Sequence, residues 1–330
     1  MSGLFVQKHA DAVHTQDVDV RVIFSQEWRD TWRQWKELQR EGWIPDVVQL
    51  NVIQKQGALA LWLKKRFGIP YIIVEHWSGY LPDNGQFMQM SRLKKRFIRC
   101  VCREAEQVLT VSRRLQAAMQ ECGLRAKRWD TIDNVVDDFF FERSTVSCPP
   151  SDKKTLIHVS CFDEQAKNVK GLLRAAKMLH AKRQDWQLIL IGTGANWKEC
   201  VEYTACLELE DMVHFTGELP PKDVAAQLHQ ADALVLSSQY ETYGVVLAEA
   251  AAAGIPILST PVGIAEEVGA LIVPQEIALY KPGTFAEFIE TILWHPAAVS
   301  SQPKAGNRFS AEIIGKKLRQ VYDSCLHRDI

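Results

Sequence analysis

Short apolar runs alternate with longer amphipathic stretches along the whole of this chain. No other feature constrains the fold as much. Strand, helix and strand in repeated succession build layered α/β domains with parallel sheets. In the first half, strands are expected at residues 20–24, 47–51, 71–74, 107–111 and 129–132. Helices are expected at 4–15, 28–41, 57–67, 87–104 and 113–122. Gly68-Ile69-Pro70 ends one helix and leads into a strand, since glycine closes a helix and proline cannot continue one.

A polar run between Glu142 and Lys154 breaks the alternation. It holds Ser144, Thr145, Ser147, Pro149, Pro150 and Ser151 and reads as a linker. A second alternating series follows, with strands expected at 156–160, 187–191, 213–215, 233–237, 256–259 and 271–273. Its helices include 169–182, 221–229 and 245–253, and a last helix is expected near 310–326. The expected domains are 1–143, a linker at 144–154, 155–309, and a C-terminal helix over 310–330 packing back toward the first domain. The fold class is α/β: two doubly wound, Rossmann-like domains facing across a cleft. In such folds ligands bind at the carboxyl ends of the strands.

Composition removes several function classes. The 39 Lys and Arg balance 40 Asp and Glu, without the positive excess of a dedicated nucleic-acid binder. Apolar runs such as 250–258 are far shorter than a membrane span. Gln7, Lys8 and His9 stand where a signal peptide has its apolar core, so a cytoplasmic protein is expected. The eight cysteines are irregularly spaced, with no Cys-x-x-Cys and no trailing His pair. Reduced, mostly buried thiols are expected rather than a zinc site.

The most informative segment runs from Ser237 through Glu241, Tyr243, Gly244, Val245 and Glu249 to Ala250. It passes from a strand through a short polar loop into a helix. The first N–H groups of a helix have no intrahelical partner, and the helix dipole adds partial positive charge, which suits a phosphate. Gly244 lets the backbone approach a ligand closely. Glu249 lies about five residues into the helix, roughly 7–8 Å along its axis, with its side chain tilted back toward the start. A carboxylate there can accept two hydrogen bonds from a ribose diol, with Glu241 facing whatever hangs from the far phosphate. Taken alone, Glu249 also fits a structural acid near a helix start.

Glu241, Glu249, the Gly254-Ile255-Pro256 strand entry and the turn from Pro261 to Glu266 together resemble the donor site of family 4 glycosyltransferases, retaining enzymes of the GT-B type. The resemblance extends to Asp133-Asn134-Val135-Val136-Asp137, to Lys167-Asn168 with the helix after it, to Asn307-Arg308-Phe309-Ser310, and to Glu75-His76-Trp77-Ser78-Gly79. It implies that Glu249 holds the nucleotide ribose and Glu241 the donor-sugar hydroxyls. The backbone at Tyr243, Gly244 and Val245 would take the distal phosphate. Lys167 would neutralise the diphosphate, and His76 would come from the first domain to the donor sugar. It implies a hexose transferred with retention from a nucleoside diphosphate sugar to a saccharide or lipid-linked acceptor, in cell-surface polysaccharide or glycolipid synthesis. No metal and no cofactor are expected, because a helix start plus a lysine can stabilise the leaving diphosphate.

Three departures stand against the family pattern. No Arg precedes Lys167 between Val159 and Ala166, where Asp163 and Glu164 lie instead; Arg174 is a candidate substitute. Val135 replaces a glycine, and Gly263 stands alone where many members have two. The opening strand of the first domain is expected to be missing. The alternative reading is therefore a truncated, catalytically impaired relative that binds nucleotide or a partner without turnover. A different GT-B enzyme and a nicotinamide oxidoreductase rank below it.

Four features need separate readings. Asp17-Val18-Asp19 reads as turn acids rather than a metal motif. Ile191-Gly192-Thr193-Gly194 lacks the third glycine of a dinucleotide fingerprint. Trp28, Trp32 and Trp35 sit at i, i+4, i+7 and read first as a core stripe, second as an aromatic platform for sugar. The stretch from Arg92 to Arg103 is basic and amphipathic, with Leu93, Phe97 and Val101 at helical spacing. It reads as a solvated helix face or as a peripheral contact to anionic lipid at the inner face of the membrane.

Overall fold

The computed structural model describes residues 3–25, 27–142, 153–295 and 306–326. The chain divides into two compact units, Met1–Val135 with Arg308–Ile330, and Val136–Asn307. The boundary falls at Val135/Val136, inside the Asp133 to Asp137 turn. Most of the expected 144–154 linker lies outside the described residues.

The first unit holds β1 (Val48–Asn51), β2 (Tyr71–Glu75), β3 (Gln107–Thr110) and β4 (Trp129–Thr131), all parallel and in that spatial order. Its helices are α1 (Leu4–His14), α2 (Trp28–Arg40), α3 (Gly57–Phe67), α4 (Gln86–Gln89), α5 (Arg92–Glu104) and α6 (Arg113–Glu121). Every residue of β2 and β3 is buried, which is why these strands read as continuous apolar runs rather than alternating ones.

Two expectations fail in this unit. Residues 20–24 form no strand. Val20 packs against the core that holds Ala12 and Val13, and Ile23 against the one that holds Trp35 and Leu59, but Val22 and Phe24 stay 46% and 62% exposed. No backbone bond joins the segment to β1 among the described residues. Apolar content alone therefore did not make a strand there. The expected helix at 87–104 is two helices, because Ser91 is extended and caps α5 by accepting from the Lys94 N–H.

The second unit holds β5 (Lys154–Val159), β6 (Trp186–Ile191), β7 (Val213–Gly217), β8 (Ala233–Leu236), β9 (Ile257–Ser259) and β10 (Leu271–Ile272). Their spatial order is β10-β9-β8-β5-β6-β7, again all parallel. Its helices are α7 (Glu164–Lys167), α8 (Val169–His180), α9 (Trp197–Cys206), α10 (Pro221–Gln230), α11 (Val245–Ala253), α12 (Gln275–Tyr280) and α13 (Pro282–Trp294). Leu172, Leu173, Trp186, Leu188, Val235 and Ile289 anchor its core.

The last helix, α14 (Ala311–Leu326), belongs to the first unit and packs on α1. The close approach needs Gly315, where a Cβ would lie 2.2 Å from the Ala12 carbonyl oxygen. Ile314 and Leu318 then share a core with Ala12, Val13, Ile72 and Leu109. Arg308 pairs with Asp133 at 2.8 Å and fixes the chain's return.

Candidate active site

The second sheet reverses direction between β5 and β8. Strands β5, β6 and β7 run outward one way, and β8, β9 and β10 the other. Loops that leave neighbouring strands toward opposite flanks open a crevice at their carboxyl ends. Here the loop after β5 leads to Lys167, and the loop after β8 leads to Glu241 and α11.

The two loops are stitched together. The Gln239 N–H donates to the Ala166 carbonyl at 2.7 Å, and the Ser237 hydroxyl donates to the Lys167 carbonyl at 2.9 Å. The ammonium of Lys167 hydrogen-bonds and pairs with a Glu241 carboxylate oxygen, Oε1. The same oxygen accepts from the Ser238 hydroxyl at 3.0 Å. Burial pushes the Lys167 pKa down, but the charge and hydrogen bond of Glu241 more than offset it, and the net shift is upward. Lys167 is thus held as a cation.

The two acids beside Lys167 are engaged by backbone N–H groups. Asp163 caps α7, accepting from the Gln165 and Ala166 N–H groups. Glu164 accepts from the Lys170 N–H at 3.1 Å. The candidate substitute Arg174 donates to the Leu279 carbonyl at 3.1 Å. Cys161, in the stretch that lacks the family's arginine, is exposed.

Helix α11 starts at Gly244, whose φ of 77° is left-handed and open to glycine at little strain. Its backbone is held from behind by the turn after β9. The Ile264 N–H donates to the Tyr243 carbonyl at 2.9 Å, and a Cβ on Gly263 would lie 2.0 Å from that same oxygen. Tyr243 is buried, and Val245 opens the helix half-buried. Apart from Glu249, every α11 side chain is Val, Leu or Ala, and Glu249 alone among them is charged. It is half-buried in a helix whose other faces are core.

Sequence reasoning missed His158, a histidine inside the apolar strand β5. Its Nδ1 lies 2.9 Å from the Val235 carbonyl and its Nε2 2.9 Å from the Ser160 hydroxyl. Burial lowers its pKa to about 4, so it is neutral and ties β5 to β8 at the reversal. One imidazole in an otherwise apolar strand was the available signal.

His76 lies in the first unit, just past β2. Its ring stacks on Phe5 of α1 at 5.9 Å, and the His9 ring is 6.1 Å away. The His76 Nε2 is buried without a hydrogen-bond partner, and so is the His9 Nδ1. Burial, then the neighbouring His9, lower the His76 pKa to about 3. Beneath it the fully buried Glu75 accepts from the Ile53, His76 and Trp77 N–H groups. Burial raises the Glu75 pKa to about 7 against those donors. Neither Glu75 nor His9 was singled out from the sequence as a partner of His76.

The remaining expectations divide. Asp19 accepts from the Trp43 indole at 2.9 Å and pairs with Arg21, and no cluster of three metal-ligating side chains occurs among the described residues. The thiols are less buried than expected: Cys102, Cys200 and Cys325 are buried, while Cys161 and Cys206 are exposed. The amphipathic stripe of α5 is only partly used, with Val101 buried and Leu93 81% exposed. No described helix is long and apolar enough to cross a membrane.

Residues 142–293 match the family model of glycosyl transferases group 1, and residues 5–134 match that of the glycosyl transferase 4-like domain. The chain is similar to N-acetyl-alpha-D-glucosaminyl L-malate synthase of Bacillus anthracis, 31% identical over 52% of this chain and 45% of that protein. It is also similar to lipopolysaccharide 1,6-galactosyltransferase of Escherichia coli, 28% identical over 56% of this chain and 51% of that one. The matched part thus spans about half the length of either relative. In fold it resembles Anabaena HepE, solved in complex with UDP and glucose, with a TM-score of 0.71 over 98% of this chain and 96% of that one at 18% identity. Two parallel sheets, the second with its strand order reversed between β5 and β8, and family matches over both units lead to one assignment: the chain belongs to the GT-B glycosyltransferases of the family 4 type.

Proposed function

We propose that the chain transfers a hexose, with retained configuration, from a nucleoside diphosphate sugar to a saccharide or lipid-linked acceptor in cell-surface polysaccharide or glycolipid synthesis. The observation that carries this reading is the Lys167–Glu241 pair at the strand reversal, beside the start of α11. In this reading the diphosphate takes the Lys167 ammonium and the backbone of Tyr243, Gly244 and Val245. Glu249 holds the ribose diol, and Glu241, released from Lys167, accepts from donor-sugar hydroxyls. Charge that develops on the leaving diphosphate is met by a fixed cation and a helix start, without metal or cofactor. His76 is the first-unit member of the set, and its buried, unpartnered Nε2 suits a hydrogen bond to a sugar hydroxyl. The lipopolysaccharide enzyme among the relatives supports a saccharide acceptor.

Membrane contact belongs to the same proposal. Leu93 and Met88 are 81% and 65% exposed beside the cations of α5. That combination suits the surface of an anionic bilayer. Leu93→Ser should weaken cosedimentation with phosphatidylglycerol vesicles; unchanged cosedimentation removes this part of the reading.

One observation favours the impaired relative. Within the described residues Lys167 is the site's one assigned cation, since Arg174 is turned to Leu279. A calorimetric titration with UDP, GDP and ADP and their sugar conjugates, with chelator present, separates the two. UDP comes first because the Anabaena protein was solved with it. Nucleotide binding that Glu249→Ala abolishes, followed by sugar release or transfer, supports the enzyme. Nucleotide binding without turnover on any acceptor supports the impaired relative, and no binding by the folded chain rejects both.

A further inference from the structure

The tryptophans of α2 were read first as a core stripe, and the structure divides them. Trp35 is buried at 2% exposure, whereas Trp28 and Trp32 are half-buried and line an open cavity of about 390 Å³. Its other lining residues are Arg29, Arg33, Lys36 and Arg40. No acid lines it. Arg33 pairs with Asp30 at 3.0 Å, but Arg29, Lys36 and Arg40 have no acidic partner among the described residues.

We infer that this face of α2 is a binding site for an anionic oligosaccharide, one whose rings carry carboxylates. The inference rests on the reading that the chain handles sugars, but it concerns a site separate from Lys167 and Glu241.

The chemistry of the lining selects this ligand class. Indole faces pack against the C–H faces of pyranose rings, and the rings here are fixed in orientation. Trp28 meets Trp32 edge to face at 5.5 Å, Trp32 meets Trp62 at 4.9 Å, and Trp62 meets Phe67 at 5.1 Å. Every lining residue belongs to α2, so a ligand would lie along one face of that helix. The cations recur at i, i+4, i+7 and i+11 from Arg29, so they span roughly 16 Å at the rise of an α-helix. Like charges at such spacing repel one another, and an anion along the row relieves that repulsion. A neutral sugar would use the indoles and leave the cations idle. A bilayer would want apolar side chains pointing outward, whereas these indoles are half-sunk between charged neighbours.

The row also lies at the ligand-binding end of its sheet. Gln56, which precedes α3 at the carboxyl end of β1, donates to the Ser25 carbonyl, and α2 begins three residues later. The Trp28 end of the row is therefore at the carboxyl edge of the first sheet, where doubly wound domains take ligands.

The test is calorimetry on the full chain with trigalacturonic acid, neutral maltotriose, inorganic tripolyphosphate and phosphatidylglycerol vesicles. Trigalacturonic acid should bind with a Kd that weakens as salt rises, and maltotriose at least tenfold more weakly. Arg29→Glu with Lys36→Glu should cost at least tenfold in trigalacturonate affinity while leaving UDP affinity and the thermal midpoint unchanged. Both residues are exposed, so the double variant is expected to fold. Equal affinity for the acidic and neutral sugars overturns the inference, as does indifference to the charge reversal. Tripolyphosphate binding as tightly as the uronate, or vesicles bound through the same residues, overturns it too. If UDP fails to bind while trigalacturonate does, the donor-site reading falls and this one stands.

Discussion

The two sheets follow the same strand–helix grammar and end in different places. The second reverses its strand order between β5 and β8, and polar side chains from the loops after those strands meet there. The first runs β1-β2-β3-β4 without reversal among the described residues, and at the carboxyl end of β2 Glu75 is fully buried and His76 half-buried. Lys167 is kept charged by the carboxylate of Glu241 beside it. Glu75 and His76, by contrast, are pushed by burial toward their neutral forms, under the ring of Phe5.

The strongest way to break this contrast is to remove the pairing in the second unit. Glu241→Ala leaves Lys167, whose side chain is only 15% exposed, without its counter-charge. Breaking a buried pair by deleting one partner costs about 3 kcal/mol, less the screening that partial exposure allows. Turnover should fall by at least about 100-fold, the scale of losing one positioned group at the reacting centre. Nucleotide affinity should change far less, because the diphosphate still has Lys167 and α11. Steady-state kinetics beside a UDP titration reads both. An affinity loss as large as the rate loss would remove Glu241 from the sugar and make it a structural brace.

Next in size is Gly263→Ala. The new methyl would collide with the Tyr243 carbonyl, and the φ of 50° adds strain for any side chain. About 2–3 kcal/mol of stability should go, by the usual scale for overpacking and backbone misfit. UDP binding should weaken with it, since Tyr243 precedes the helix start. A thermal melt and a UDP titration measure the two effects. Loss of stability with intact UDP affinity would show that the start of α11 does not hold the phosphate.

These two variants also mark what was legible in the sequence. Glu241, Gly244 and Glu249 lie in one local sequence pattern of strand end, turn and helix start, and Lys167 lies in another after β5. The structure adds that β5 and β8 are neighbours, which is how residues 74 positions apart come to pair. The strands with continuous apolar runs were legible because parallel sheets are buried on both faces. Residues 20–24 misled because apolar content does not specify a hydrogen-bonding partner. The partners of Asp163 and Glu164 were not legible, because charge in a sequence does not say which backbone N–H a carboxylate will accept. His9, Glu75 and Phe5 were not legible around His76, because that cluster is assembled from α1 and β2 across the first core.

A smaller effect tests the Glu75–His76 cluster. The Glu75 carboxyl has an unfolded reference near 4.5 and a folded pKa of about 7. Between those values the folded chain keeps a proton that the unfolded chain has lost, so stability falls as pH rises. His76 runs the other way. Its folded pKa of about 3 lies below its reference of 6.5, so stability falls as pH drops below 6.5. From pH 4.5 to 6.5 the two slopes oppose each other. Glu75→Gln removes the first and leaves the second. Acidification through that window should then destabilise the variant more steeply than the parent, by about 1.4 kcal/mol per pH unit. Urea unfolding at pH 5, 5.5 and 6 gives the slopes. Parallel slopes would mean that Glu75 is already ionised in the fold.

The smallest effect sharpens the contrast from the open side. The second unit presents an exposed thiol, Cys161, in the stretch before Lys167 that carries no arginine. Cys161→Arg adds a cation there without disturbing a buried partner. A hydrogen bond to a charged group contributes about 1.5–3 kcal/mol, and an exposed, flexible side chain realises the lower end of that range. UDP should therefore bind about tenfold more tightly, with UMP gaining less because it lacks the distal phosphate. The gain should shrink at high salt, as screened charge pairs do. Equal gains for UDP and UMP would place the added cation away from the distal phosphate and would move the diphosphate away from Lys167. A gain for UDP alone would define the second unit as a one-cation site, open to improvement.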